Sequence, residues 1–185
     1  MAEELWAEIE SLYMNDSAYS GQLTQLGHAL QTAALADAAG ACQLTVVAAL
    51  LHDVGWKLAC CEPTEMDMAG NDDSEGSCCF AAPETISAAA RLGILQLCAS
   101  GGADAEQQRA QHDVIGATFL RMRGFEEKVA HLVEGHVLAK RYLCFAEQDY
   151  HSQLSPASVR TLLFQGGPMT ATEAAKFEQG TFLVA

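Results

Sequence analysis

Hydrophobic positions recur at helical spacing through most of this chain, and strand-like alternation is scarce. Leu5, Trp6, Ile9, Leu12 and Tyr13 mark one face of a first helix over Glu3–Tyr13, broken by Asn15-Asp16-Ser17. A second helix is predicted from about Gln25 to Ala39, stopped by Gly40, and a third from about Leu44 to Val54, ended by Gly55. Regular patterning resumes over His112–Met122, closed by Gly124. The next helix, Glu126–Leu143, is acidic in its first turn and carries Lys140-Arg141 in its last, as the macrodipole favours. Ser155-Pro156 supplies an N-cap and a first-turn proline for a helix reaching Phe164, which Gly166-Gly167-Pro168 breaks. Thr170-Ala171-Thr172-Glu173 has the form of a capping box opening a last helix. The predicted fold is all-α, a compact bundle of about six or seven helices.

Between the third helix and His112 the texture changes. Met66–Ser77 is rich in Asp, Gly, Asn and Ser, and Gly101-Gly102-Ala103-Asp104 repeats that character. The Ala- and Leu-rich stretch Pro83–Leu97 between them is compatible with a helix. Residues from about 59 to 108 therefore read as a mostly loop-like insertion within one domain spanning 1–185.

Composition narrows the classes. A length of 185 residues, half of them hydrophobic, suits one globular domain with a sizeable core. A net charge of −14 disfavours nucleic acid and anionic membrane as partners, since both require clustered Lys and Arg. It leaves room for a small anionic substrate at a site carrying its own cations. The acidic start Met1-Ala2-Glu3-Glu4 lacks the basic and apolar regions of a signal peptide. No stretch approaches the roughly 18 apolar residues that span a bilayer. Of seven cysteines, four form the adjacent pairs Cys60-Cys61 and Cys78-Cys79, a spacing of neither zinc sites nor a disulfide framework. Reduced thiols in a cytoplasmic, reducing compartment are expected.

The candidate chemistry centres on His52 and Asp53, adjacent at the end of the apolar run Ala48–Leu51. Successive helical residues diverge by about 100°, so the pair cannot share one ordinary core face. A buried Asp also needs a partner. His28 shares a face with Gln31, Thr32 and Leu35. His136 follows Val129, Leu132 and Val133 at helical spacing and points inward, with Lys140 one turn further on. His131 falls off that stripe and His151 lies in a polar stretch, so both read as surface residues. A lone His on an apolar face is more often a hydrogen-bonded core residue than a ligand. Four imidazoles (His28, His52, His112, His136) and one carboxylate from four helices are a different matter: they suit Fe, Mn, Zn or Mg. The two oxygens of Asp53 could bridge two such ions.

The pattern His28 … His52-Asp53 … His112 … His136 resembles the HD-domain superfamily of helical metalloproteins, most of them phosphohydrolases and a smaller branch diiron oxygenases. Four stretches sharpen the resemblance: Gln25–Gln31, Ala48–Gly55, Glu134–Tyr142 and Leu162–Met169 with its Gln-Gly-Gly-Pro-Met run. They are similar to the organophosphonate-degrading diiron oxygenases, including members that cleave 2-amino-1-hydroxyethylphosphonate. The similarity covers Tyr19–Leu58 and Gln111 to about Glu178 and leaves the insertion without a counterpart. It implies an Fe(II)/Fe(III) pair, with His28, His52 and Asp53 on one iron and Asp53, His112 and His136 on the other. It further implies that Lys140 contacts the phosphonate, that Ser158 and Gln165 line the same pocket, and that Tyr19 corresponds to a tyrosine on a mobile covering loop. The implied chemistry is oxidative C–P cleavage of a small hydroxylated organophosphonate by dioxygen, with release of phosphate.

The chain departs from the family pattern at three places. Trp56 stands where the aminohydroxyethylphosphonate-cleaving members have a histidine near the substrate, and Gln22 where they have a glutamate reading the substrate amine. Loss of that carboxylate argues against a primary ammonium and for a bulkier, zwitterionic or uncharged substituent. The third departure is at the C-terminus, where an Arg-x-Trp-Asp-like motif carrying a further phosphonate arginine and iron aspartate is not found before Ala185. The C-terminal part of the family domain is thus expected to be missing. Two alternatives stand beside the oxygenase: a metal-dependent HD phosphohydrolase acting on a phosphomonoester or nucleotide, and a truncated, non-catalytic metal-binding homologue.

Overall fold

A computed structural model describes residues 2–14, 18–20, 23–58 and 111–180. The expected insertion falls outside these residues. Most of the described chain is helical, in agreement with the all-α expectation. Helix α1 (Ala2–Met14) is followed by the short antiparallel strands β1 (Ala18–Ser20) and β2 (Leu23–Thr24), then by α2 (Gln25–Ala38), α3 (Gln43–Leu51) and α4 (Val54–Leu58). After residue 110 come α5 (His112–Met122), α6 (Glu127–Ala146), α7 (Tyr150–Gln153), α8 (Pro156–Phe164) and α9 (Ala171–Glu178). Among the described residues no helix is long and apolar enough to cross a membrane.

The bundle is organised around α6. It packs most extensively on α5 and also on α3, while α2 lies on α3 and α4 lies on α5. Between these helices sits one core that includes Ile9, Leu12, Leu51, Val54, Ile115, Phe119, Leu120 and Val133. Burying such side chains is worth about 1.5–3 kcal/mol each, so this contiguous cluster is the main force holding the helices at fixed angles.

Local signals set the helix ends. Ser155 caps α8, its hydroxyl accepting from the Ser158 N–H with Pro156 in the first turn. Thr170 and Glu173 form a reciprocal capping box on α9. Gly40 and Gly124 take positive φ just beyond α2 and α5.

Four expectations need correction. Trp6 is 55 % exposed, because the inward face of α1 instead includes Glu8, whose carboxylate pairs with Arg123. That guanidinium also lies over the Phe119 ring, at 5.4 Å from its centroid. Leu35 is 72 % exposed, since the buried face of α2 is centred nearer Ala29 and His28 lies at its edge. Helix α6 continues to Ala146, so Lys140 and Arg141 do not serve its terminal dipole. Finally, Gly55 does not end the third helix. The helical path lapses at His52 and Asp53, and Gly55 lies inside the new helix α4.

Candidate metal centre

The break at His52-Asp53 is what lets both side chains reach one point. A tight Trp56 N–H to Asp53 C=O bond of 3.0 Å restarts the chain as α4. Two glycines then bring α4 and α5 together. A Cβ on Gly55 would lie 1.8 Å from the His112 carbonyl oxygen, and one on Gly116 would lie 3.1 Å from the Gly55 nitrogen. Only the missing side chains allow this approach, and it carries His112 to Asp53.

Asp53 is buried at the centre of four imidazoles. Its Oδ2 lies 3.2 Å from His52 Nε2 and 3.5 Å from His28 Nε2. Its Oδ1 lies 3.2 Å from His112 Nε2 and 3.7 Å from His136 Nε2. Within each pair the imidazoles also converge, with Nε2 atoms 3.1 Å apart for His28 and His52 and 2.9 Å for His112 and His136. The carboxylate thus presents one oxygen to each histidine pair. Among the described residues, His28, His52 and Asp53 form one group able to hold a metal ion, and Asp53, His112 and His136 another.

The donor set fits metal ions. Ligands bonded at about 2.1 Å and at right angles lie about 3.0 Å from one another, close to the spacings seen here. The Nδ1 atoms of His52 and His136 lie 2.8 Å and 2.6 Å from the carbonyls of Ala49 and Val133. A carbonyl only accepts, so each Nδ1 carries the proton and each Nε2 turns a lone pair into the cluster. Such an arrangement is repulsive unless a cation lies among the nitrogens.

Without a metal, electrostatics favour neutral imidazoles at His28 and His136 and an anionic Asp53, but a protonated His52. Burial pushes His136 down to about 3 and lowers His28, which keeps both imidazoles neutral and able to ligate. Burial also opposes charge on His52, but the adjacent Asp53 carboxylate outweighs it and raises that group. Asp53 itself, despite burial, is held well below the usual carboxylate range by His52 and His112. It is therefore an anion, as a bridging ligand must be.

Lys140 lies on the same face of α6 as His136. Burial lowers its pKa while the charge of Asp53 acts to raise it. Its Nζ donates to Thr161 Oγ1 at 3.2 Å, and that hydroxyl donates to the Ser158 carbonyl at 3.1 Å. The Ser158 hydroxyl is engaged with Ser155 Oγ at 3.0 Å, inside the α8 cap. Gln165 follows α8, and its Oε1 is buried with no hydrogen-bond partner among the described residues. Tyr19 belongs to β1, which packs beside α8 and α2; its side chain lies outside the described residues, as does Gln22. Trp56 packs on His112, with ring centroids 4.8 Å apart. His131 and His151 enter neither metal-capable group. His131 is half-buried on α6, and His151 is exposed on α7 rather than in a loop.

Three features escaped the sequence reading. Thr161 is the partner of Lys140, with no motif to announce it. The Gly55–Gly116 contact looked like helix punctuation. His112-Asp113 repeats the His-Asp dipeptide, yet Asp113 turns away to accept from the Val114 N–H at 2.9 Å, and burial raises its pKa.

Known proteins are similar to this chain in sequence. The [1-hydroxy-2-(trimethylamino)ethyl]phosphonate dioxygenase (glycine-betaine-forming) of Leisingera caerulea is 32% identical over 165 residues, covering 89% of this chain and 64% of its own length. The hydroxymethylphosphonate dioxygenase of Gimesia maris is 34% identical over 166 residues, covering 90% of this chain and 64% of its own. The chain is similar to both of these named dioxygenases. The expected resemblance to the organophosphonate-degrading HD oxygenases is thereby borne out. An uncharacterized protein of Acanthamoeba polyphaga mimivirus is 31% identical over 155 residues, 84% of this chain and 54% of its own. The chain spans a little under two thirds of the length of the two named enzymes. No family model matches it.

Proposed function

We propose that the protein is an iron-dependent oxygenase that cleaves the C–P bond of a small 1-hydroxyalkylphosphonate and releases phosphate. The observation that supports this best is the division of Asp53 between two histidine pairs at ligand spacing. A bridge of this kind suits two metals, and the names of the relatives support dioxygen chemistry on a phosphonate. His28, His52 and Asp53 would hold one iron; Asp53, His112 and His136 would hold the other. Bound there, an Fe(II)/Fe(III) pair supplies Lewis acidity and the capacity to activate dioxygen.

The overall reaction balances without a further reductant. A 1-hydroxyalkylphosphonic acid and dioxygen yield a carboxylic acid and phosphoric acid. The carbon loses its hydrogen and its bond to phosphorus and gives up four electrons, which dioxygen accepts. The glycine-betaine-forming activity named for one relative is a carboxylate product of this kind.

The chain's own side chains then have distinct tasks. Lys140, released from Thr161, donates a charge-assisted hydrogen bond to a phosphonate oxygen and offsets its charge. Gln165 offers its unsatisfied Oε1 to the substrate hydroxyl, and Ser158 lines the same side. The covering role is assigned to Tyr19 on the resemblance to the family alone. Trp56 and Gln22 provide no carboxylate for a primary ammonium, so the substituent is hydrogen or a quaternary ammonium. The named substrates of the two relatives span those two cases. Residues 1–185 act as one domain, with the segment from about 59 to 108 inserted beyond the catalytic framework.

The test is direct. Iron-loaded protein is mixed anaerobically with hydroxymethylphosphonate, and dioxygen is then admitted. Phosphate and formate should appear in equal amounts and only after dioxygen. Phosphate release from a phosphomonoester by the Mg or Mn form without dioxygen would replace this function with the hydrolase.

A further inference from the structure

Next to Lys140, on the same helix, Arg141 does something that neither metal binding nor substrate contact explains. Its side chain is 14 % exposed. Nε donates to the Gly167 carbonyl at 2.9 Å, and Nη2 donates to Glu173 Oε1 at 2.8 Å. Its own carbonyl accepts from the Met169 N–H at 3.1 Å. A Cβ on Gly166 would lie 3.3 Å from Nη2 and 3.4 Å from Cζ, so the bare Gly166 backbone rests against the guanidinium plane. Gly166 and Gly167 have φ of +97° and +72°, which other residues rarely adopt, so the turn takes the one shape that fits this fork. The second oxygen of Glu173 caps α9 through Thr170 N–H and Oγ1, both at 2.8 Å. Arg141 therefore ties α6, the end of α8 and the start of α9 at a single point.

We infer that Arg141 is a positioning residue for the phosphonate side of the site. The chain between the two anchors is short. Lys140 meets Thr161 in the middle of α8, and Gln165 follows one turn later, immediately before the clamped glycines. Fixing the turn fixes the seat of α8 on α6. That sets where Thr161 holds the Lys140 ammonium and where the Gln165 carboxamide points. The inference rests on the function proposed above. It also accounts for the Gln-Gly-Gly-Pro-Met run as the complement of an arginine. A lysine could replace the charge but not the fork, since an ammonium cannot reach the Gly167 carbonyl and Glu173 while lying flat against Gly166.

The experiment compares wild type with Arg141→Lys, Arg141→Gln, Glu173→Gln and Gly166→Ala, all iron-loaded. It measures iron per chain, anaerobic affinity for hydroxymethylphosphonate, and kcat and KM under dioxygen. The Arg141 variants should keep their iron and bind the phosphonate on the order of tenfold more weakly, with KM rising more than kcat falls. Glu173→Gln and Gly166→Ala should move the same parameters in the same direction by less. Phosphonate affinity equal to wild type in the Arg141 variants would overturn the inference, as would iron and affinity falling together. Should the Arg141 variants fail to fold, unchanged affinity in Glu173→Gln and Gly166→Ala would overturn it equally. A wild type that bound no phosphonate would remove the proposed function and this inference with it. Normal wild-type binding with indifferent variants would remove only the inference.

Discussion

Gly55→Ala should disable the proposed metal centre without replacing a ligand. The added Cβ would stand 1.8 Å from the His112 carbonyl oxygen and 2.7 Å from its carbonyl carbon. A tolerable approach begins near 3.0 Å, so α4 and the start of α5 must separate by about 1.2 Å. The obstacle is backbone and cannot rotate aside. Overpacking of this kind costs about 1–3 kcal/mol, and a backbone obstacle puts the variant at the upper end. For a chain of this size that is a fall in Tm of about 6 °C or more. Metal–ligand distances tolerate only about ±0.2 Å, so a shift of this size takes His112 out of bonding range of the ion it would share with Asp53. The assay is thermal unfolding by circular dichroism with and without metal, together with metal content by mass spectrometry. The variant should melt earlier and gain less from added metal. Gly124→Ala serves as a control. Its Cβ meets nothing within 4 Å, so only its φ of +78° is penalised and metal content should hold. A Gly55→Ala protein with wild-type Tm and full metal would refute the view that this contact sets the site.

Three further outcomes are expected. His136→Ala should lose the ion shared with Asp53 and His112, whereas His131→Ala should retain it; equal losses would contradict the assignment of faces on α6. Lys140→Met should keep its iron but bind phosphonate more weakly by about 1.5–3 kcal/mol, the worth of a hydrogen bond to a charged group, as read by anaerobic calorimetry. The metal-free protein should lose stability in acid. His28 and His136 are held below the ordinary value of 6.5, His136 at about 3, so the unfolded chain takes up protons that the folded chain refuses. Their contribution is lost as pH falls from about 6.5 toward 3, and the depressed Asp53 adds a loss only below the ordinary carboxylate range. His52, raised, acts oppositely: its contribution is complete below about 6.5 and fades as pH rises through its folded value. The denaturant midpoint of the metal-free protein should therefore drop on acidification, and His136→Asn should flatten the profile. A flat wild-type profile would contradict the sign.

Much of this was legible in the sequence because the signals are local. Ser155 and Thr170 announce their helices by capping, and the 3.6-residue period places His136 inward beside Val133. The His–Asp cluster was legible because four imidazoles and a carboxylate on apolar helices have few uses other than holding a metal ion. What was hidden depends on contacts between distant segments. Gly55 looks like a helix stop in isolation, and only the backbone of His112 shows that it is a crossing point. Lys140-Arg141 looked like dipole compensation until α6 proved to run on to Ala146 and Arg141 proved to hold the Gly166-Gly167 turn. Asp113 has the same neighbour as Asp53, and nothing in its sequence context tells that its carboxylate turns to the Val114 N–H instead. Strands of three and two residues, β1 and β2, are too short for alternation to register.

The central claim is that Asp53 bridges two irons. It is tested most directly by anaerobic iron titration of the protein followed by low-temperature EPR. The account predicts uptake of two irons per chain and, on partial oxidation, the signal of a coupled Fe(II)/Fe(III) pair that Asp53→Asn abolishes. Saturation at a single iron, or a pair of uncoupled irons indifferent to Asp53→Asn, would contradict it.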